Sequence, residues 1–215
     1  MRAKEQLDYS VYLIADRGIT AGDFLDRVEQ ALLGGVSLVQ LRAKELSARE
    51  FFALGEQVLA LTKSHAVPMI VNDRLDIALA LGADGVHLGQ QDLPAGRVRA
   101  IVGKDCILGV SVRTRIEAQQ ATEQGADYVG VGAIFPTSTK SDATLTPLTE
   151  LAAIAGSTGL PVVAIGGITA DNAMQVLQQG ASGVCVASGI LCAASPREAA
   201  RVLVDISSKW RRATR

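Results

Sequence analysis

Short apolar runs recur along the chain at regular intervals, each bounded by glycine, proline or polar residues. "VYLIAD" begins at Val11, "PMIVN" at Pro68, "CILGVS" at Cys106 and "PVVAIGG" at Pro161. Four further runs follow one pattern: "LLGGVSLV" from Leu32, "ALGADGVHL" from Ala80, "EQGADYVGV" from Glu123 and "QQGASGVCV" from Gln178. In each, a helical stretch closes on a glycine, which can take the left-handed conformation at a helix end, and a short β-branched strand follows. Between the runs lie stretches such as "AGDFLDRVEQALLG", "SAREFFALGEQVLALTKSH" and "RTRIEAQQATEQG", with apolar residues three and four apart, as on a helix with one buried face. Strands that are apolar without interruption suit a parallel sheet covered on both faces. Eight alternating strand and helix units predict an α/β protein, a single (βα)8 TIM barrel spanning 1–215, with a doubly wound open sheet as the alternative.

A barrel sorts polar residues by the strand end they occupy. Asp84 and Asp127 precede strands, on the face that serves stability, and are expected in turns or caps. Residues just after strands face the mouth where barrel enzymes act. After the second strand comes "QLRAK", in which Gln40, Arg42 and Lys44 alternate with Leu41 and Ala43 and project to one side. Two cations there call for an anion, with Arg gripping a phosphate through two donors and Lys acting as a point charge. The third strand delivers Asn72 and Asp73, and the fourth delivers Asp92 after a short loop. Adjacent strands lie ~4.8 Å apart, so two carboxylates can share one cation. Oxygen ligands in small number suit Mg²⁺, which completes its shell with water and substrate phosphate.

The fifth strand ends at Ser111. The sixth opens into "GAIFPTSTK", where the hydroxyls of Thr137, Ser138 and Thr139 can donate to phosphate oxygens and Lys140 can neutralise charge on a leaving group. "GGIT" (Gly166 to Thr169) and "ASGI" (Ala187 to Ile190) follow the seventh and eighth strands, the usual place of a phosphate site in barrels. The expectation is one mouth with two anion sites, one of them metal-assisted.

Composition narrows the classes. Of 215 residues, 48% are hydrophobic and 20% charged, which suits a packed α/β domain and excludes a disordered chain. A net charge of -1 gives no general attraction for nucleic acid or anionic membrane. Cys106, Cys185 and Cys192 form no CxxC pair and are expected to be small buried residues in a reducing compartment. "MRAKEQLDYS" has no apolar leader core and no run of ~18 apolar residues occurs, so a cytoplasmic protein is expected. The basic end, from about residue 208 to 215, is expected to fray. Assembly with further copies of the chain is left open.

"YLIAD", "QLRAK", "VND", "GVHLGQQD", "GVS", "PTSTK", "AIGGIT" and "ASGI", in that order from about residue 11 to about residue 205, resemble the signature of the thiamine phosphate synthase family. The resemblance implies a transferase with Mg²⁺ that joins 4-amino-2-methyl-5-hydroxymethylpyrimidine diphosphate to 4-methyl-5-(2-hydroxyethyl)thiazole phosphate, giving thiamine phosphate and diphosphate. It implies a dissociative course, in which diphosphate departs, the aminopyrimidine stabilises a carbocation and the thiazole nitrogen captures it. Carried over by position, it assigns the pyrimidine diphosphate to Gln40, Leu41, Arg42, Ala43, Lys44, Asn72, Ser111 and Lys140. Asp73 and Asp92 become metal ligands, and Thr137, Ser138, Thr139, Gly167, Ala187 and Ser188 the thiazole phosphate site. Lys140, Arg42, Lys44 and Ser111 take the catalytic roles. The chain departs from the family at Arg113, where many relatives have His, and in "SDATLTPLTEL" after Lys140. A thiazole tautomerase-like isomerase or a phosphate sensor on the same fold are the alternatives, both without use for a metal-assisted diphosphate clamp. His65 and His87 are read as lying in a helix and a strand, outside any nucleophile-base pair.

Overall fold

A computed structural model describes residues 7–20, 22–137, 139 and 144–214. Eight parallel strands close on themselves in chain order: β1 (Val11–Asp16), β2 (Leu38–Arg42), β3 (Met69–Asn72), β4 (Gly85–Leu88), β5 (Ile107–Val112), β6 (Tyr128–Val131), β7 (Val162–Ile165) and β8 (Gly183–Val186). Around them run α1 (Phe24–Leu33), α2 (Ala48–Ser64), α3 (Leu75–Leu81), α4 (Ala95–Val102), α5 (Arg115–Glu123), α6 (Leu148–Ser157) and α7 (Ala173–Gln178), then a short α8 (Ser188–Leu191) and the long α9 (Pro196–Ala213). The expected barrel is the fold, and the open sheet is excluded by the pairing of β8 with β1.

Period-2 alternation divides every strand between two cores. Outward residues such as Val11, Leu13, Val39, Leu41, Val71, Val86, Val129 and Val184 join the helices in one large cluster. Inward residues Tyr12, Ile14, Leu38, Ile70, Ile107, Tyr128, Val163 and Cys185 fill the barrel itself. Tyr128 fits because a glycine faces it: a Cβ on Gly109 would overlap the Tyr128 ring and the imidazole of His87. Likewise, a Cβ on Gly183 would collide with the backbone carbonyl of Tyr9 where β8 closes onto β1.

The four similar segments are one device used four times. A polar residue just before each even strand accepts the first free N–H of the preceding odd strand: Ser37 from Val11 (3.1 Å), Asp84 from Met69 (2.8 Å), Asp127 from Leu108 (2.7 Å) and Ser182 from Val162 (3.2 Å). These N–H groups lie where the ladder begins, and a side-chain oxygen there replaces water. Arg99 pairs with Asp127 at 2.6 Å and fastens α4 to the same end. Asp84 and Asp127 are therefore strand clamps rather than turn residues, on the face expected for them.

Helix starts are set by Ser47 with Glu50 and by Thr114 with Glu117, each a reciprocal capping pair, and by Ser195 before Pro196. Through the basic end, α9 continues to Ala213 and Trp210 packs against the outer core. Of the cysteines, Cys185 is buried as expected, while Cys106 is half-buried and Cys192 is exposed. Among the described residues no helix is long and apolar enough to cross a membrane.

Candidate active site

Inward positions near the carboxyl ends of the strands carry Asp16, Gln40, Arg42, Asn72, His87 and Ser111, and β2, β3 and β4 continue into Lys44, Asp73 and Asp92. Gln40, Arg42, Lys44, Asn72, Asp73, Asp92 and Ser111 thus share the mouth where the sequence places them. Leu41 and Ala43 bury their side chains, Leu41 completely, among the outer core residues. Only their backbone is left to meet a ligand.

The anions that meet the two cations of "QLRAK" are carboxylates of the chain itself. Arg42 Nη1 binds Asp16 Oδ2, with Asp16 almost fully buried at the end of β1. Lys44 Nζ lies 3.3 Å from Asp73 Oδ2. Asp16 was not among the sequence candidates, although its parity with Tyr12 and Ile14 in "YLIAD" marks it as inward-facing. Arg42 is thereby aimed into the mouth by a buried partner.

Asp73 occupies the left-handed region at φ 60, unusual for a residue with a side chain. Its N–H donates to the carbonyl of His87 at 2.8 Å, which holds the turn against β4. Strain of this order costs about 1 kcal/mol or more and persists where the surroundings enforce it. The result is a carboxylate turned toward Asp92. Burial raises the pKa of Asp92 and the neighbouring Asp73 carboxylate raises it further, against a 2.6 Å hydrogen bond from the Gly89 N–H that lowers it. Two carboxylates facing one another in a half-buried mouth are relieved by a cation, and two oxygen donors with open positions fit Mg²⁺. Among the described residues no cluster of three or more His, Cys, Asp or Glu offers a fuller metal cage.

Across the mouth, the loop after β6 is stitched to the loop after β7. Ile134 N–H donates to Ile165 O (2.9 Å) and Phe135 N–H to Gly166 O (3.0 Å). Gly167 has φ 61 and no room for a Cβ, which would overlap the Pro136 carbonyl. Thr137 Oγ1 accepts from the Thr139 N–H (3.2 Å), and Thr139 Oγ1 donates to Ser188 Oγ (3.2 Å) at the start of α8, next to Ala187. Thr137, Thr139, Gly167, Ala187 and Ser188 therefore form one rim of hydroxyls and backbone. Ser138 and Lys140 lie outside the described residues. Arg113 is exposed, with its N–H on the Glu117 carboxylate beside the cap of α5.

Sequence reasoning missed a polar chain that crosses the barrel. Gln40 Nε2 donates to Tyr12 Oη (2.8 Å), Tyr12 Oη meets Tyr128 Oη (2.8 Å), Tyr128 Oη meets His87 Nδ1 (2.8 Å), and His87 Nε2 meets Ser111 Oγ (2.9 Å). Burial lowers the His87 pKa to about 4, with the Asp73 charge opposing the shift, so the ring is neutral around pH 7. Burial also pushes both phenols well above their ordinary range. Parity was the available signal, since Tyr12, Gln40, His87, Ser111 and Tyr128 all occupy inward positions. Gln90, on the loop after β4, donates to the Ser111 carbonyl at 2.6 Å and fixes its backbone.

A closed barrel with paired carboxylates, an Arg and a Lys on one side of its mouth and a hydroxyl-lined rim on the other defines an enzyme of the phosphate-handling barrel class. The model of the thiamine monophosphate synthase family (TMP-TENI) matches residues 11–190, and the chain belongs to that family. A thiamine-phosphate synthase from Alkaliphilus oremlandii is 48% identical over 204 residues, covering 94% of this chain and 98% of the relative. Its counterpart from Desulfitobacterium hafniense is 50% identical over 207 residues, covering 95% and 99%. The solved thiamine phosphate pyrophosphorylase from Pyrococcus furiosus superposes with a TM-score of 0.88 at 38% identity, covering 95% of this chain and 98% of that one. The chain is an enzyme, a transferase of thiamine biosynthesis.

Proposed function

We propose that the enzyme condenses 4-amino-2-methyl-5-hydroxymethylpyrimidine diphosphate with 4-methyl-5-(2-hydroxyethyl)thiazole phosphate, by a dissociative course in which diphosphate departs before the thiazole nitrogen attacks. The observation that carries it is the convergence of Lys44, Asp73 and Asp92 beside Arg42, opposite the Thr137 to Ser188 rim. Such a mouth stabilises separated charge. Contrary to the sequence expectation for His87, its imidazole does meet a hydroxyl, that of Ser111 at 2.9 Å, but a reaction through a carbocation needs no enzyme nucleophile from that pair.

Asp73 and Asp92 would hold Mg²⁺, which when bound supplies positive charge to the diphosphate oxygens. Arg42 and Lys44 add fixed and mobile positive charge to the same group. On binding, Lys44 exchanges the Asp73 carboxylate for a diphosphate oxygen, which frees that carboxylate for the metal. Lys140, from the loop after β6, neutralises the departing diphosphate. Gln40, Asn72 and Ser111 hold the pyrimidine end in the barrel, with backbone from Leu41 and Ala43. Thr137, Ser138, Thr139, Gly167, Ala187 and Ser188 hold the thiazole phosphate, so the nucleophile approaches from the opposite wall. The compartment is the cytoplasm and the partners are small phosphorylated molecules.

The test follows diphosphate and thiamine phosphate together in purified protein given both substrates. Equal formation of both products, dependent on thiazole phosphate and abolished by a chelator, is expected. No product, with thiazole phosphate still binding, would overturn the transferase reaction in favour of an isomerase or a sensor.

A further inference from the structure

The chain Gln40, Tyr12, Tyr128, His87, Ser111 joins two groups of the mouth through three residues that the proposed reaction does not use. Its proton order follows from its first member. A Gln amide nitrogen can only donate, so the Tyr12 oxygen accepts from Gln40 and turns its own proton to Tyr128. Tyr128, already accepting, turns its proton to His87 Nδ1. The ring must then carry its proton on Nε2 and donate to Ser111, whose hydroxyl proton is left to point elsewhere. An imidazolium would break this order. It would donate at both nitrogens and leave one phenol proton, that of Tyr128 or of Tyr12, deep in the barrel without an acceptor among the described residues.

The barrel is built around this chain. Gly109 and Gly130, facing inward on β5 and β6, leave the space that the His87 and Tyr128 rings occupy, and an added Cβ on Gly109 would strike both. His87 and Tyr128 are further held at ring centroids 5.4 Å apart, and Tyr12 meets Tyr128 edge-on at 5.8 Å.

We propose that Tyr12, Tyr128 and His87 are positioning residues that lock Gln40 and Ser111 into one complementary pair, the Gln40 amide oxygen as acceptor and the Ser111 hydroxyl as donor, so that the mouth selects a 4-aminopyrimidine over its 4-oxo analogue. Among the described residues no donor meets the Gln40 amide oxygen, and Ser111 Oγ meets only His87, so both remain for a ligand. An aminopyrimidine offers an amino donor and ring-nitrogen acceptors, which this pair matches. A 4-oxopyrimidine offers a carbonyl acceptor and a ring N–H donor instead. Accepting it requires the amide of Gln40 to turn and every proton in the chain to reverse, down to His87 protonated on Nδ1. One ligand edge is thereby read through five residues at once, and mismatched buried polar groups are a strong source of rejection. The selectivity rests on the proposed reaction, whereas the proton order does not.

Nitrogen NMR of ¹⁵N-histidine protein without substrate tests the order, in a His65→Gln background that leaves His87 as the one remaining histidine. A ring protonated on Nε2 is expected. In Tyr128→Phe, which keeps the ring and removes the oxygen at Nδ1, the constraint from Gln40 no longer reaches the imidazole and a mixture of the two tautomers is expected. With substrate, the kcat/KM preference for the 4-amino over the 4-oxo pyrimidine diphosphate is expected to fall by about tenfold or more in the same variant. Gly109→Ala, which removes no polar group and displaces the same two rings, is expected to give the same two changes, and serves where Tyr128→Phe does not fold. Protonation on Nδ1 in the parent, or a tautomer and a preference that both stay unchanged in a folded variant, would overturn the proposal. Absence of any thiamine phosphate from the parent protein would strike the functional reading alone, because the tautomer is read without turnover.

Discussion

The neutral imidazole of His87 makes the stability of the barrel depend on pH in a defined window. Burial of the ring, partly opposed by the Asp73 charge, brings its pKa from 6.5 to about 4. The unfolded chain therefore binds a proton that the folded chain refuses. The contribution is fully present above the unfolded value of about 6.5, declines as pH falls below it, and levels off under the folded value of about 4. Each pKa unit corresponds to about 1.4 kcal/mol, so the full effect is about 3 kcal/mol, and about 2 to 3 kcal/mol is lost between pH ~7.5 and pH ~4.5. Paired carboxylates add their own acid dependence, so the comparison needs a reference variant. His87→Gln keeps an acceptor for Tyr128 and a donor for Ser111 without a titrating ring. Urea denaturation of both proteins at the two pH values is expected to show the parent losing about 2 to 3 kcal/mol more than the variant. Parallel losses would refute the reasoning, because His87 would then titrate alike in both states.

Three further outcomes are expected, two at described positions and one at Lys140 from the proposed reaction. Gly183→Ala places a methyl against the Tyr9 carbonyl, a backbone atom that cannot turn aside, and a stability loss of about 2 kcal/mol or more in urea is expected. Asp73→Asn removes one of two proposed metal ligands, so the Mg²⁺ concentration for half-maximal rate should rise, and an unchanged metal dependence would remove Asp73 from the metal shell. Lys140→Ala should lower turnover far more than thiazole phosphate binding measured by calorimetry, since its proposed contact is with the departing diphosphate, and equal losses would end that role.

The barrel was legible because its strands are apolar on both faces and four of them are announced by the same glycine-turn segment. Those segments also carried a message that reading along the chain did not extract. Ser37, Asp84, Asp127 and Ser182 look like turn residues, and their oxygens become strand clamps only when the neighbouring strand start is in place. The mouth was legible for a similar reason. In a barrel, the residue after a strand has one place to go, so Arg42, Lys44, Asp73 and Asp92 converge whatever their spacing in sequence. What stayed hidden was pairing across the barrel. Asp16 sits in an apolar motif, and nothing near it in sequence names Arg42, twenty-six positions away, as its partner. His87 reads as one polar residue in a buried strand, and only closure brings it between Tyr128 of β6 and Ser111 of β5. Inward parity would have gathered these residues, but their order along the hydrogen-bond chain depends on register and on the glycines that make room.

The proposed reaction requires one mouth to hold two anions, one through Mg²⁺ and one without it. Calorimetric titration of the parent protein with inorganic diphosphate and with thiazole phosphate, each with Mg²⁺ and with chelator, tests this most directly. Diphosphate binding that requires Mg²⁺ and is lost in Asp92→Asn, beside thiazole phosphate binding that the chelator leaves unchanged, is the predicted result. Metal-independent diphosphate binding, or competition between the two anions for one place, would contradict it.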